Sequence, residues 1–271
     1  MNRHSKGALR LLAAASALAF AGCGSSSPTP LPTPTPTPTP TPAVSTAGLV
    51  LLLHMDEPLW DGSRDQVADA SGAGHPGTST GAATTTAAGK FGRGGLFAGG
   101  ESCVEIADVP ALRPTTQLTL SAWVMPTGLG RQTPLGIVSK RVDFLFRSAY
   151  AFFVNVDDRL TVDLDTEDNR FAAGGVLTNG RWTHVAMVYD ARLPSATRVT
   201  VYVDGSAVGT GAESSTSISE FPSPLAVGCL PLSAPAQGFV GTMDEVAIWH
   251  RALTAAEIAL LAGASGPIRV P

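Results

Sequence analysis

The feature that most narrows the fold is the alternation in "QLTLSAWVMP", residues 117–126, where Leu118, Leu120, Ala122 and Val124 alternate with Thr119, Ser121 and Trp123. Successive side chains of a strand point to opposite faces, so this pattern predicts a strand with one apolar and one mixed face. "WTHVAMVYD" and "RVTVYVDG" behave alike, the second setting Val199, Val201 and Val203 on one side. Asp204-Gly205, between Val203 and Val208, is a hairpin signal, because the central residues of a tight I′ turn need φ > 0. Similar short segments, rich in Val, Ile, Leu and Thr, continue along the chain without long interleaved helices. The expectation is all-β: half-buried antiparallel strands in a β-sandwich or jelly roll.

One helix is expected, near the end, in "RALTAAEIALLAG". Thr254 can cap its N-terminus while Glu257 reaches back to complete a capping box. Leu253 and Ile258 stand at the hydrophobic-staple positions, and Gly263 suits the stop. Residues 264–271 are expected to form a loose tail.

The first 47 residues contribute nothing to a core. Arg3, Lys6 and Arg10 precede an uncharged run from Leu11 to Ala21. A positive start followed by a short apolar stretch describes a secretory signal. The stretch falls short of the roughly twenty residues that a membrane span needs. "FAGC" resembles the lipobox of bacterial lipoproteins, with Phe20 replacing the usual Leu. That resemblance implies cleavage before Cys23, a diacylated Cys23 and a membrane anchor; an ordinary secretory signal is the alternative. Pro alternates with Thr over Pro28–Pro42, which favours extended polyproline II of about 45 Å. The expected organisation is 1–22 signal peptide, 23–47 lipidated cysteine and linker, 48–263 folded domain and 264–271 tail. The expected location is the bacterial cell envelope or cell surface, in the outer membrane if one is present.

The net charge of −4 becomes −7 without the signal, which removes three cations and no acids. No basic cluster remains to bind nucleic acid. Cys103 and Cys229 are then the two cysteines free to pair in a compartment that permits disulfides. Two buried thiols are equally compatible with the sequence.

Nine pieces, in order, resemble a laminin G-like, concanavalin A-type jelly roll of the bacterial kind: "LLLHMDE", "DASGAGHPGT", "GKFGRGGLFAGGESCVEIAD", "QLTLSAWVMP", "GIVSKR", "RWTHVAMVYD", "VTVYVDG", "SPLAVG" and "FVGTMDEVAIWHRALTAAEI". The resemblance covers nearly all of 48–263, and matches poorly over 141–179 and 82–88. It narrows the expected fold to a two-sheet antiparallel jelly-roll sandwich, with the first and last strands adjacent. It also implies a structural calcium held by Asp69 and Asp244, with backbone carbonyls near Ser71 and His75. The alternative for the same residues is an Asx-turn capped by Asp69, with Asp244 solvated or hydrogen-bonded.

For catalysis, "TVDLDTED" faintly resembles the paired acids of laminarinase-type glucanases, and strand alternation would align Asp163, Asp165 and Glu167. Asp163 and Asp168 stand where that motif carries Glu, retracting each carboxyl by about one bond, so solvated strand charges are the expectation. His54, His75, His184 and His250 show no metal-ligand spacing, and there is no P-loop, G-x-S-x-G elbow or dinucleotide fingerprint. Trp123, Trp182 and Trp249 fall in strand segments. Trp123 could stack on a sugar in the concave groove or lie under a loop, and the second is expected. The reading is a tethered, non-enzymatic binding or adhesion module for a glycan or an envelope protein. Its alternatives are a polysaccharide hydrolase and a purely structural envelope component.

Overall fold

The computed structural model describes residues 44–141, 148–164, 170–231 and 237–270. The strands run β1 Leu49–Leu53, β2 Gly77–Thr80, β3 Thr84–Thr86, β4 Gly94–Ala98 and β5 Cys103–Ile106. Next come β6 Gln117–Pro126, β7 Leu135–Arg141, β8 Ser148–Val154, β9 Arg159–Leu164 and β10 Arg170–Val176. β11 Thr183–Asp190, β12 Val199–Val203, β13 Ser206–Gly211, β14 Leu225–Val227, β15 Cys229–Leu230, β16 Gln237–Gly238 and β17 Val240–Trp249 precede helix α1, Ala255–Ala262.

Two antiparallel sheets form the sandwich. The larger runs β13-β12-β11-β6-β17-β4-β3, with β1 added against β17; the smaller runs β10-β9-β8-β7-β14-β5-β2. Leu118, Leu120, Ala122 and Val124 point between the sheets, meeting Tyr150, Phe152, Val162 and Leu225 from the other layer. The apolar face expected of β6 is therefore the core face. The Asp204-Gly205 turn joins β12 to β13, with Val203 opposite Ser206 and both turn residues at positive φ, 47° and 79°.

The mixed face of β6 is buried as well, unlike the half-buried strands expected. Ala186, Ala247 and Trp249 on the outer side of the larger sheet pack against Leu253, Ile258 and Leu261. Helix α1 thus forms a third layer over part of this sheet. Its capping box is complete, with Thr254 Oγ1 accepting from Glu257 N–H and Glu257 Oε2 accepting from Thr254 N–H. Gly263 ends it at φ −86°, without a left-handed turn.

Cys103 and Cys229 form a disulfide with Cα atoms 5.4 Å apart, joining β5 to β15 across 126 positions of sequence. Gly136 lets β15 approach β7, since a Cβ there would lie 2.3 Å from the Cys229 carbonyl carbon. No helix among the described residues is long and apolar enough to cross a membrane.

Candidate functional site

The termini of the domain meet as expected: β1 pairs with β17, Leu53 opposite Val246. Beside that seam β17 bulges. Its pairing with β6 shifts register between Asp244 and Ala247, and Glu245 takes φ 51°. Met55, just past β1, is also left-handed at φ 59°. A non-Gly residue there costs about 1 kcal/mol or more and persists only where its surroundings over-determine it.

The bulge turns two adjacent carboxylates toward three separate chain segments. Asp244 Oδ2 accepts the Phe91 N–H at 2.8 Å, and Oδ1 accepts the Glu245 N–H at 2.8 Å. Glu245 Oε1 meets His54 Nδ1 at 2.6 Å, while Oε2 accepts the Ile268 N–H at 2.7 Å. The expected loose tail is thus partly docked. Burial pushes the Asp244 carboxyl up to about 7, against the Phe91 bond and with the Glu245 charge adding to the rise. The hydrogen bond to Glu245 raises His54, outweighing its desolvation.

Asp69 lies on the loop after β1. Its Oδ1 accepts from Leu52 and Ser71 N–H, at 3.0 and 2.9 Å, and its Oδ2 from His75 N–H at 2.9 Å. Burial raises this carboxyl, but the hydrogen bond from the Ser71 side chain and the three backbone bonds together outweigh it and leave the pKa below the ordinary value. The loop turns N–H groups of Ser71 and His75, rather than their carbonyls, toward Asp69. Asp69 and Asp244 share no hydrogen-bond partner. Among the described residues no three His, Cys, Asp or Glu side chains converge on one point. This arrangement of donors differs from the six to eight oxygens that calcium takes.

Trp123 is covered, as expected. Lys90 Nζ sits 3.8 Å from the centroid of its ring, Phe91 meets it edge-on at 6.1 Å, and His184 packs against it at 5.4 Å. His184 Nε2 lies 2.9 Å from Ser121 Oγ, and its buried Nδ1 has no hydrogen-bond partner. Burial lowers His184 to about 4, so it is neutral at pH 7. Phe91, Ser121, Trp123, His184 and Glu245, together with residues of the helix end and tail, line a small cavity of about 10 Å³.

A second, open cavity of about 250 Å³ lies beside the disulfide on the smaller sheet, lined by Thr80, Gly81, Glu101, Glu105 and Pro231 with both cysteines. Of the "TVDLDTED" acids, Asp163 is buried on β9 and pairs with Arg141 at 3.2 Å. Asp165, Glu167 and Asp168 lie outside the described residues.

Sequence reasoning missed Glu245, Lys90 and the His54 and His184 contacts. The available signal was the pairing of "LLLHMDE" with "MDEVAIW": once β1 lies beside β17, His54 follows Leu53 and Glu245 precedes its partner Val246.

A laminin G family model, described as the concanavalin A-like lectin/glucanases superfamily, matches residues 98–259. The chain belongs to that superfamily. Among solved structures, this superfamily domain is similar to domain 4 of AbnA, a GH43 extracellular arabinanase from Geobacillus stearothermophilus, in complex with arabinotriose. The TM-score is 0.58 at 20% identity, over 79% of this chain and 98% of that one. The binding domain of Paraclostridial Mosquitocidal Protein 1 aligns at TM-score 0.58 and 15% identity, over 80% of this chain and 52% of the other. The ligand binding domain of botulinum neurotoxin serotype D, in complex with N-acetylneuraminic acid, aligns at 0.59 and 9%, over 80% and 51%. The chain thus spans about half the length of these last two. No curated protein matches it.

Proposed function

We propose that this superfamily domain is a non-enzymatic binding module for a glycan, tethered to a bacterial cell envelope through a lipidated Cys23 and the Pro/Thr spacer. The observation that carries the reading is whole-domain likeness to domain 4 of the arabinanase, a structure in complex with arabinotriose. The open cavity of about 250 Å³ beside the disulfide offers a place for a sugar, close to the lower end of the roughly 300–1,000 Å³ that ligand pockets commonly measure. Its wall combines two carboxylates with a threonine hydroxyl. Such groups accept and donate hydrogen bonds to sugar hydroxyls, while the rigid sandwich holds them in place.

The burial of Asp163 against Arg141 favours binding over hydrolysis. A glycosidase acid needs open access to its substrate at a controlled distance from a second carboxylate, whereas Asp163 is buried and held by Arg141. The test pairs two assays on the mature chain. Glycan arrays are expected to show binding that weakens at least tenfold in Glu105→Gln, and no reducing sugar should appear from the bound polymer. Release of sugar that stops in Glu167→Gln would replace this reading with a hydrolase. Mass spectrometry of the membrane-extracted protein should find diacylglyceryl on Cys23; a mature N-terminus elsewhere removes the anchor.

A further inference from the structure

The outer face of the larger sheet is not uniform. Where α1 covers it, the contact is apolar throughout, from Leu52 and Trp249 to Ile258 and Leu261. Beyond the end of the helix the same face turns polar, with Ser121, His184 and Glu245 beside the Trp123 ring. What closes this polar part is the end of the helix and the tail: Leu261 of α1, with Ala264, Gly266 and Ile268, completes the cavity wall. Residues 264–270 form neither helix nor strand. Ile268 packs only partly buried on the helix-side cluster, and its N–H bond to Glu245 ties the segment to the bulge. The cover is therefore much less secured than the strands beneath it, the kind of element that opens first.

The groups underneath are not arranged as a settled core. His184 Nδ1 is buried and unpartnered, and such an atom ordinarily costs about 1–3 kcal/mol. Glu245 is held in a left-handed conformation at a β-bulge, and both features concentrate where a fold serves a ligand. Closed, the cavity of about 10 Å³ has room for about one water and none for a sugar ring. Without residues 264–268 its outer wall is gone.

We propose that the Ala264–Ile268 segment is a cover over a second sugar site, built from Trp123, His184, Ser121 and Glu245, that binds a neutral saccharide when the segment lifts. The inference rests on the glycan reading above. A neutral ring suits the lining: Glu245 accepts a hydroxyl proton in place of the Ile268 N–H. The neutral imidazole offers its free nitrogen to another hydroxyl, and Trp123 and Phe91 supply apolar edges. Glu245 sets a carboxylate against any acidic sugar, and the Lys90 ammonium is already seated over the Trp123 ring.

Two variants open the cover: a chain ending at Gly263, and full-length Ile268→Asp, which sets a third carboxylate beside Glu245. Diethylpyrocarbonate reacts with neutral imidazole, so acylation of His184 followed by mass spectrometry reads the cover without any ligand. With all forms folded by circular dichroism, His184 is expected to react at least tenfold faster in both variants than in the intact chain. Equal protection in all three overturns the cover. On a glycan array, the opened forms should gain at least tenfold for a neutral glycan, with arabinotriose as the first probe, and Trp123→Ala in the opened chain should abolish the gain. Glycan binding indifferent to opening and to Trp123→Ala overturns the second site and leaves the first reading standing. Binding by no form overturns both.

Discussion

Asp69 and Asp244 flank the same β1–β17 seam, each taking backbone N–H bonds, yet the fold shifts their charges in opposite directions. Asp69 receives three N–H groups and ends below the ordinary carboxylate pKa; Asp244 is fully buried beside Glu245 and is pushed up to about 7. The difference lies in what surrounds the carboxyl rather than in the residue. Donors aimed at an anion favour the anion, while burial next to another anion favours the proton. A pair that looks like one ion site in sequence becomes two anchors with opposite pH behaviour.

The largest effect should follow from Asp69→Ala, which leaves the N–H groups of Leu52, Ser71 and His75 without their acceptor. At about 1–3 kcal/mol for a buried donor left unpaired, with partial relief from water, a loss of about 3–5 kcal/mol is expected in urea unfolding. A loss under 1 kcal/mol would mean that the loop does not depend on this carboxylate.

The second effect concerns pH. Because the folded protein holds the Asp244 proton more tightly than the unfolded chain, the contribution of Asp244 to stability should fall as pH rises from about 4 to about 7 and level off above. At 1.36 kcal/mol per pH unit, the fall between pH 5 and 8 is on the order of 2–3 kcal/mol. Asp244→Asn should remove most of that slope. The slope left behind belongs to the histidines: the raised His54 gives stability present below about 6.5 and lost as pH rises through its folded value, while the lowered His184 and His250 give stability present above about 6.5 and lost as pH falls through theirs. Asp69 works the other way: its contribution is present above its unfolded value near 3.8 and is lost as pH falls through the lower folded one. An Asp244→Asn profile parallel to the parent would erase the contrast between the two residues.

The smallest expected effect is none. Both carboxylates already receive backbone donors, so melting temperatures in millimolar calcium and in chelator should agree within about 1 °C. A calcium-dependent rise that Asp69→Asn and Asp244→Asn both abolish would merge the two anchors into one ion site.

Much of this was legible in the sequence because it depends on short-range rules. Alternation in Leu118–Val124 identifies the core face of β6, Asp204-Gly205 identifies a tight hairpin, and Thr254 with Glu257 marks the start of α1. Each needs no more than a few neighbouring residues and the stereochemistry of strand, turn or cap. The burial of Ser121, Trp123 and His184 was not legible in this way, since a strand pattern specifies which face a side chain takes but not what later covers it.

The class of fold was readable from the residues, since period-two patterning and turn chemistry act locally; the adjacency of the domain's ends was readable only through the family resemblance. Tertiary structure alone decided that Cys103 reaches Cys229, that Glu245 meets both His54 and Ile268, and that a helix and tail roof the larger sheet. Those contacts join residues more than a hundred positions apart, or depend on a bulge whose register no local pattern encodes. A carboxylate's behaviour depends on the donors and charges brought to it, and only the assembled sandwich brings them.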